Sequence, residues 1–265
     1  MAERNNFRQA VIVQIQVCKL KRLYMNCFST KATYRIYLEQ PARATQCAAR
    51  LFRADREFTI GYTTGMPETI GIYGGTFDPP HLGHLVLAAE ALPQFRLTRL
   101  LWVLSPEPPH KTDRTLTPLP QRLEMLRRAI ADNPDFELST VEIDRTGPHY
   151  MLDTLHLLGN QFPTAELVLL IGADSLRDLP GWHRPQEILS ACHSLGVMRR
   201  PNTALEIDTL ERSLPGLRAK LRFMEAPLLE ISSRTIRSRI AKGGPYRYYL
   251  PASVYQYIEQ EKLYR

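Results

Sequence analysis

From Thr69 to the end of the chain, short apolar runs alternate with segments whose apolar residues recur every three or four positions. The runs are typical of strands in a parallel sheet that is covered on both faces, and the recurring segments are typical of helices. The pattern predicts strands at residues 69–73, 99–104, 136–141, 166–172, 194–198 and 221–225. It predicts helices at residues 81–92, 119–131, 150–162, 185–191, 232–242 and 253–261.

This alternation of strands and helices predicts an α/β fold. We expect a doubly wound, Rossmann-like parallel sheet with helices on both faces. Ligands of such sheets bind beyond the carboxyl ends of the strands, where the winding direction switches. In the first helix, the apolar residues at helical spacing are Leu82, Leu85, Val86, Ala89 and Leu92.

Residues 1–65 do not continue this pattern. Val11–Val17 alternates as a strand would, but no hairpin partner with turn residues follows it, so no fold is assigned here. Residues 1–65 carry 11 basic and 4 acidic residues, whereas residues 66–265 carry 23 of each, so the whole net charge of +7 lies in the first segment. We interpret residues 1–65 as a disordered or non-essential extension and residues 66–265 as the functional domain. A basic arm that binds nucleic acid and a targeting segment are the alternatives.

Composition adds limits on the class of protein. Hydrophobic residues make up 44% of the chain and charged residues 23%, as in an ordinary globular protein. No apolar run reaches the roughly 18 residues needed to cross a bilayer, so no membrane partner is expected. The four cysteines lack the spacing of zinc ligands, which predicts a protein of the reducing cytoplasm without structural zinc. The sequence leaves a homo-oligomer open.

The first strand runs into "GGTFDPPHLGH", which predicts a phosphate-binding turn. We expect Gly74 and Gly75 to form a tight turn with φ values closed to other residues, so that the backbone approaches a ligand closely. A helix that begins near His81 would offer free N–H groups and its positive dipole end to an anion. It would also place His81 and His84 on one face, with Gly83 leaving room for a purine or a ribose.

Each part of this stretch has an ordinary explanation. Two histidines at this spacing are most often surface or core residues, and metal binding is a further alternative, although no zinc-like ligand spacing accompanies them. The complete string is more specific than its parts. It resembles the signature of the nucleotidylyltransferases with the H-x-G-H motif, and its Gly-Gly-Thr form resembles that of the bacterial nicotinate mononucleotide adenylyltransferases. By this resemblance the histidines hold the α- and β-phosphates of ATP, and further ATP contacts come from Gly74, Gly75, Thr76, Phe77 and Gly83.

Three later stretches resemble phosphate-binding parts of the same family. "SPEPPHK" is similar to the family's P-x-x-P-P-H-K loop and implies a triphosphate contact by Lys111. "EISSRTIRSRI" resembles I-S-S-T-x-I-R and implies contacts by Ser232, Ser233 and Arg237, with an arginine at 234 where the family has threonine. "VMRRPN" resembles a strand followed by R-P and implies an ATP contact by Arg200. Without the resemblance, these stretches would be taken for solvated turns and a capped surface helix.

Two other stretches resemble the family's nicotinate side. "HYMLDTL" resembles S/T-Y-T-x-D-T-L, in which the tyrosine and the following backbone N–H hold the nicotinate carboxylate; Met151 stands where the family has threonine. "IGADSLRDLPGWH" resembles a G-x-D segment followed by the tryptophan that stacks on the pyridine ring. The residues implied on this side are Tyr150, Met151, Asp174, Trp182 and His183, with Gly172 on the ATP side.

The resemblance covers nearly all of residues 66–265 and implies one reaction. AMP is transferred from ATP to nicotinate mononucleotide, giving nicotinate adenine dinucleotide and pyrophosphate in NAD biosynthesis, with Mg²⁺ accompanying ATP. The substrate phosphate attacks in line, so the protein supplies positioning and charge. ATP and nicotinate mononucleotide are the expected partners, and nucleic acid is not. The alternatives are another acceptor, nicotinamide mononucleotide or pantetheine phosphate, and a nucleotide-binding regulator with a basic RNA-binding arm.

Overall fold

The structure is a computed structural model that describes residues 10–11, 24–28, 33–37, 67–107, 116–199, 205–227 and 229–265. The chain divides into two compact units, Met1–Thr64 and Gly65–Arg265. In the first unit, three strands form an antiparallel sheet in chain order: β1 (Ala10–Val11), β2 (Tyr24–Phe28) and β3 (Thr33–Tyr37). Whether this unit is needed for function stays a prediction.

Val11, the first residue of the alternating stretch Val11–Val17, has a partner strand that no turn residues mark in the sequence. Val11 ends β1 and lies opposite Met25 of β2 in an antiparallel pair. Turn residues reveal hairpins with short loops, and β2 begins only at Tyr24, so no tight turn marks this pairing in the sequence. Residues 12–17 lie outside the described part of the chain.

The second unit contains a six-stranded sheet and its helices. The strands are β4 (Thr69–Gly75), β5 (Arg99–Leu104), β6 (Phe136–Ser139), β7 (Glu166–Gly172), β8 (Ser194–Met198) and β9 (Leu221–Met224). The helices are α1 (Leu82–Gln94), α2 (Leu119–Ile130), α3 (Met151–Gln161), α4 (Ala173–Asp178), α5 (Pro185–Ala191), α6 (Ile207–Ser213), α7 (Leu217–Lys220), α8 (Ser233–Ala241) and α9 (Ala252–Gln260).

The strand order confirms the doubly wound sheet. The strands lie in the order β6-β5-β4-β7-β8-β9, and every neighbouring pair is parallel. The first strand, β4, therefore lies in the middle. The chain winds outward from it to β6 and then returns to add β7, β8 and β9 on the other side, so the winding direction switches between β4 and β7.

The side chains of the central strands alternate between two cores. On β5, Leu100, Trp102 and Leu104 pack into one cluster, to which α1, α2, α8 and α9 contribute. Leu101 and Val103 point the other way, into a cluster with residues of α3 through α7. Both faces of the sheet are covered at its centre, which is why β5 and β7 are apolar at every position after their first residue rather than at alternate ones.

The apolar spacing that predicted α1 does not mark its buried face. The buried residues are Gly83, Leu87, Ala88 and Ala91, whereas Leu82, Leu85, Val86 and Leu92 are partly buried and Ala89 is exposed. The reason is that α1 is apolar on nearly every side, so the periodicity of its sequence does not single out one face.

Three short helices, α4, α6 and α7, were not predicted. The longest, α6, has seven residues, which is about two turns of helix and shows an apolar period only weakly. The predicted helices, including the seven-residue α5, are present, with ends that differ by at most two residues.

Candidate active site

At the carboxyl end of the sheet the strands β4 and β7 separate, and the gap between their ends is the candidate crevice. β4 pairs with β7 as far as Tyr73, opposite Leu170. Beyond this point Gly74 and Gly75 pair with β5, while the last residues of β7 pair with β8. The two strands at which the winding switches thus separate near their ends, where ligands of doubly wound sheets bind.

Gly74 and Gly75 belong to β4 and do not form the predicted tight turn. Both pair with β5 in parallel register, and neither has a positive φ, so the expectation of special φ values was wrong. Space explains the two glycines instead. A Cβ on Gly74 would lie 2.7 Å from Cε of Met151, and a Cβ on Gly75 would lie 3.0 Å from the ring of Phe77.

The chain turns at Phe77, whose φ of 44° lies in the left-handed region. A bulky residue keeps this conformation at a cost of about 1–3 kcal/mol, and only where its surroundings fix it. The Phe77 ring is buried and packs edge-on at 5.5 Å from Tyr73 and 5.2 Å from His84, between ring centroids, with Trp102 at 5.2 Å. This aromatic cluster therefore holds the backbone around Thr76 in one shape.

His81 and His84 lie together at the start of α1. His81 is the N-cap residue of the helix and is buried, and its ring stacks on the ring of His84 with centroids 3.6 Å apart. The predicted common face is confirmed as geometry. The backbone N–H of His81 donates to Nδ1 of His84 at 3.1 Å. Because Nδ1 accepts, the ring hydrogen of His84 is on Nε2, the atom that could donate to a phosphate oxygen.

Gly83 is required by its neighbour His81. A Cβ at this position would lie 3.1 Å from ring atoms of His81, closer than a normal contact. The predicted room for a purine or a ribose stays a prediction, since the described contact already accounts for the glycine.

The start of α8 docks on the loop that precedes α1. Ser232 is the N-cap, and its Oγ accepts the N–H of Thr235 at 3.1 Å. The hydroxyl of Ser233 donates to the carbonyl of Pro79 at 2.9 Å. Nη1 of Arg237 donates to the carbonyl of Asp78 at 2.5 Å. Two of the predicted phosphate ligands, Ser233 and Arg237, thus bond to the loop just before the H-x-G-H segment, and the phosphate contacts of all three residues stay predictions.

Arg122 of α2 joins the loops that follow β4 and β5, and no sequence pattern singled it out. Its guanidinium is buried and donates to the carbonyls of Thr76 at 3.2 Å, Ser105 at 2.8 Å and Pro106 at 2.7 Å, and its Nε donates to the carbonyl of Thr117 at 2.8 Å. An arginine in an amphipathic helix normally indicates a surface position, so the sequence did not indicate that Arg122 is buried and binds these loops.

The predicted phosphate ligand Lys111 lies outside the described residues, in the segment 108–115. Both ends of that segment are described. Pro106 and Thr117 flank it, and the carbonyl of each accepts a hydrogen bond from Arg122. The arginine therefore ties together the described residues on the two sides of this segment.

Helix α3 begins beside the end of β4. Its N-cap is Tyr150 in extended conformation. The N–H groups of the first turn, which starts at Met151, therefore have no intrahelical partners. Arg145 holds this entry by donating to the carbonyls of Pro148 at 2.7 Å and Tyr150 at 3.3 Å. Since Cε of Met151 approaches Gly74, the start of α3 and the glycine strand end line the same crevice.

The other residues of the predicted nicotinate side follow β7. Gly172 ends the strand and is the N-cap of α4, whose first turn carries Asp174. Trp182 is partly buried and packs against the second core cluster, so it is anchored at its base rather than free in a loop. The ring of His183 stacks on the ring of Tyr150 with centroids 4.1 Å apart. The structure thereby brings two predicted nicotinate-side residues together.

Glu142 is a second residue that the sequence did not reveal. Its carboxylate is fully buried and accepts hydrogen bonds from the hydroxyls of Ser105 and Thr154, each at 2.6 Å. The contact ties the loop after β5 to the first turns of α3. No local pattern marks it, because its partners lie 37 and 12 residues away.

The predicted ATP contact Arg200 lies outside the described residues. The guanidinium of its neighbour Arg199 lies 4.0 Å above the ring of Phe223, so Arg199 packs at the edge of the sheet.

None of the helices in the described ranges has the length and apolar character needed to cross a bilayer.

The cytidylyltransferase-like family model matches residues 72–239. The match begins within β4, ends within α8 and includes all the predicted site residues. The chain belongs to the cytidylyltransferase-like family.

Two bacterial relatives in this family resemble the chain over most of its domain. A probable nicotinate-nucleotide adenylyltransferase of Thermomicrobium roseum is 42% identical over 196 residues, which are 74% of this chain and 91% of the relative. A probable nicotinate-nucleotide adenylyltransferase of a Roseiflexus species is 45% identical over 196 residues, which are 74% of this chain and 98% of the relative. These identities confirm the family resemblance that the sequence motifs predicted.

A solved structure shares the fold. Nicotinic acid mononucleotide adenylyltransferase of Plasmodium falciparum, complexed with NaAD, superimposes with a TM-score of 0.63 at 18% identity. The match covers 74% of this chain and 97% of that protein. At this low identity the likeness concerns the fold, and it agrees with the α/β sheet described above.

Proposed function

We infer that this chain transfers the adenylyl group of ATP to nicotinate mononucleotide, forming nicotinate adenine dinucleotide and pyrophosphate in NAD biosynthesis. The observation that carries the inference is the stacked pair His81 and His84 at the start of α1, at the switch point of the sheet. It occurs in a chain 42–45% identical to relatives named for this activity.

The phosphate side is formed by two helix starts. ATP lies with its α- and β-phosphates at the start of α1, where Nε2–H of His84 donates to an oxygen that gains charge as pyrophosphate leaves. A phosphate oxygen of the mononucleotide bonds to the α-phosphorus while the α–β bridging bond breaks. The start of α8, with Arg237, and the side chains of Lys111 and Arg200 hold the outer phosphates.

The nicotinate side is formed by the start of α3 and the segment after β7. The nicotinate carboxylate accepts from the N–H of Met151 and contacts Tyr150, as anions do at helix N-termini. Asp174 accepts from ribose hydroxyls, and the ring of Trp182 stacks on the pyridine ring. The hydrogen bonds from Arg145 to the loop before α3 support this side by fixing the position of Tyr150.

Mg²⁺ enters with ATP as part of the substrate. Across the described ranges, no three His, Cys, Asp or Glu side chains are grouped as they would be around a metal ion, and Mg²⁺ commonly keeps phosphate and water ligands. The ion offsets part of the triphosphate charge.

We place the reaction in the cytoplasm, where ATP is plentiful, in agreement with the absence of a zinc-like or disulfide-like cysteine pattern.

The experiment that tests this proposal measures pyrophosphate release from ATP with three acceptors: nicotinate mononucleotide, nicotinamide mononucleotide and pantetheine phosphate. We expect kcat/KM for the nicotinate compound to exceed that for nicotinamide by about tenfold or more, because donors paired with a carboxylate are poorly paired with an amide. Equal values would show that Met151 marks a loss of discrimination. No release with any of the three acceptors would contradict the proposed function.

A further inference from the structure

The last residues of the chain reach back to the loop before α1. After α9 the chain turns through Lys262 and Tyr264, whose φ values of 52° and 66° are both in the left-handed region, and Leu263 between them is buried. The hydroxyl of Tyr264 donates to Oδ1 of Asp78 at 2.8 Å. Left-handed residues other than glycine cost free energy. The contacts of residues 262–265, called the tail below, must therefore hold this turn in place.

Asp78 is the residue through which the tail meets the candidate site. Its side chain is 1% exposed, and its carbonyl accepts from Nη1 of Arg237. Its second carboxylate oxygen, Oδ2, lies 3.8 Å from the same nitrogen. A charge-assisted hydrogen bond of this type is about 2.7–2.9 Å long. The carboxylate is therefore held short of a close ion pair with Arg237.

The hydroxyl of Tyr264 also contacts α2. Its oxygen lies 3.8 Å from Sδ of Met125, three residues along that helix from Arg122, which bonds to the carbonyl of Thr117. Burial raises the pKa of Tyr264, and the charge of Asp78 raises this pKa further. The phenol thus keeps its proton, and remains a donor to Asp78, at neutral and moderately alkaline pH.

We propose that Tyr264 is a positioning residue of the adenylyl-transfer site. By holding Oδ1 of Asp78, it keeps the carboxylate from closing on Arg237, and so leaves the guanidinium able to bind the phosphates of ATP. The proposal rests on the proposed function for its turnover readout. Its binding readout concerns ATP and Arg237, whatever the acceptor is.

The direct test is Tyr264→Phe in the full-length chain, which removes the hydroxyl and keeps the ring. Asp78 then turns toward Arg237, and we expect the Kd for ATP, measured by calorimetry, to rise about tenfold. We expect the KM for nicotinate mononucleotide to change by less than about twofold. The control is Tyr248→Phe, which removes a hydroxyl from a tyrosine that is 84% exposed and should leave both constants unchanged.

A double-mutant cycle shows whether the effect passes through the charge of Asp78. In an Asp78→Asn background the side chain no longer attracts Arg237 as a charge, so adding Tyr264→Phe should change the Kd for ATP by less than about twofold. The same tenfold loss in both backgrounds would overturn the proposed route through Asp78.

Other outcomes separate a positioning role from a structural one. If Tyr264→Phe lowers Tm but leaves the Kd for ATP and kcat unchanged, the proposal is overturned. Deletion of Tyr264 and Arg265, with Arg265→Ala as its control, is the second variant and should weaken ATP binding as Tyr264→Phe does. Failure of both variants to fold would also count against a positioning role. If the wild-type protein binds ATP but releases no pyrophosphate, the proposed function is contradicted. The Kd for ATP of the wild type and of Tyr264→Phe can still be compared, and that comparison decides the proposal on Tyr264.

Discussion

At the residue scale, the ring of His84 is fixed from several sides. Its Nδ1 accepts the N–H of His81, its face stacks on the ring of His81, and the rings of Phe77 and Tyr73 meet it at angles of 79° and 60°. A donor that is already oriented needs no reorganisation when charge develops on a leaving group. The fixed ring therefore suits the role proposed for His84 in adenylyl transfer.

We expect His84→Ala to lower kcat by about 10²-fold, the usual scale for the loss of one oriented donor at a developing charge. The measurement is steady-state pyrophosphate release, with circular dichroism to verify that the variant is folded. His156→Ala, on the exposed side of α3, is the matched control and should keep wild-type turnover. A folded His84→Ala protein with unchanged kcat would remove the histidine pair from the mechanism.

At the element scale, small residues set how closely the helices and strands approach one another. Gly196 lies in the middle of β8, and a Cβ there would be 2.6 Å from Cδ2 of Leu170 and 2.7 Å from the ring of Phe95. Leu170 belongs to β7, one strand of the crevice, and Phe95 follows α1, the helix that starts with the histidines. The packing at Gly196 therefore contributes to the position of both sides of the site.

We expect Gly196→Ala to destabilise the domain by about 1–3 kcal/mol, as overpacking of a core does. For a domain of this size the melting temperature should fall by roughly 3 °C or more, as measured by calorimetry. Gly181→Ala is the control, because a Cβ at Gly181 meets nothing within 4 Å. If the two variants melt at the same temperature, Leu170 and Phe95 move aside without a loss of stability, and the packing argument is wrong.

At the scale of the whole molecule, charge and similarity divide the chain at the same place. Residues 1–65 carry the entire net charge of +7, and the family match begins at residue 72. The Roseiflexus relative is matched over 98% of its length by 74% of this chain, so it has no room for a counterpart of residues 1–65. The reaction proposed above draws on residues beyond Met66 alone.

A protein that starts at Met66 should keep the full kcat/KM, with a melting temperature within about 2 °C of that of the full-length chain. Its activity should respond to salt as the full-length activity does, because every charge proposed for the site is retained. Side-by-side assays and melting curves of the two proteins are the measurement. An insoluble or inactive truncated protein would show that residues 1–65 are a folded part of the enzyme, and tight, salt-sensitive RNA binding by the full-length chain alone would favour the basic-arm alternative.

The sequence alone was sufficient for the features that depend on neighbouring residues. Uniformly apolar runs indicated the buried parallel strands, and the spacing of His81 and His84 at the start of a helix indicated their common face. These signals are local, since a strand or one turn of helix involves residues that are close along the chain. Gly74 and Gly75 were predicted to be site residues on the same basis; the structure shows that the space taken by Met151 and Phe77, rather than a turn, requires glycine there.

Only the tertiary structure decided which distant groups meet. Arg122 lies 46 residues from Thr76, and Tyr264 lies 186 residues from Asp78, yet each pair forms a hydrogen bond. The buried side of α1 was also settled by the sheet beneath it, because an almost wholly apolar helix can face a core in several ways. A single sequence records local periodicity, whereas long-range partners are selected by the burial of polar groups that must find hydrogen bonds once the chain is compact.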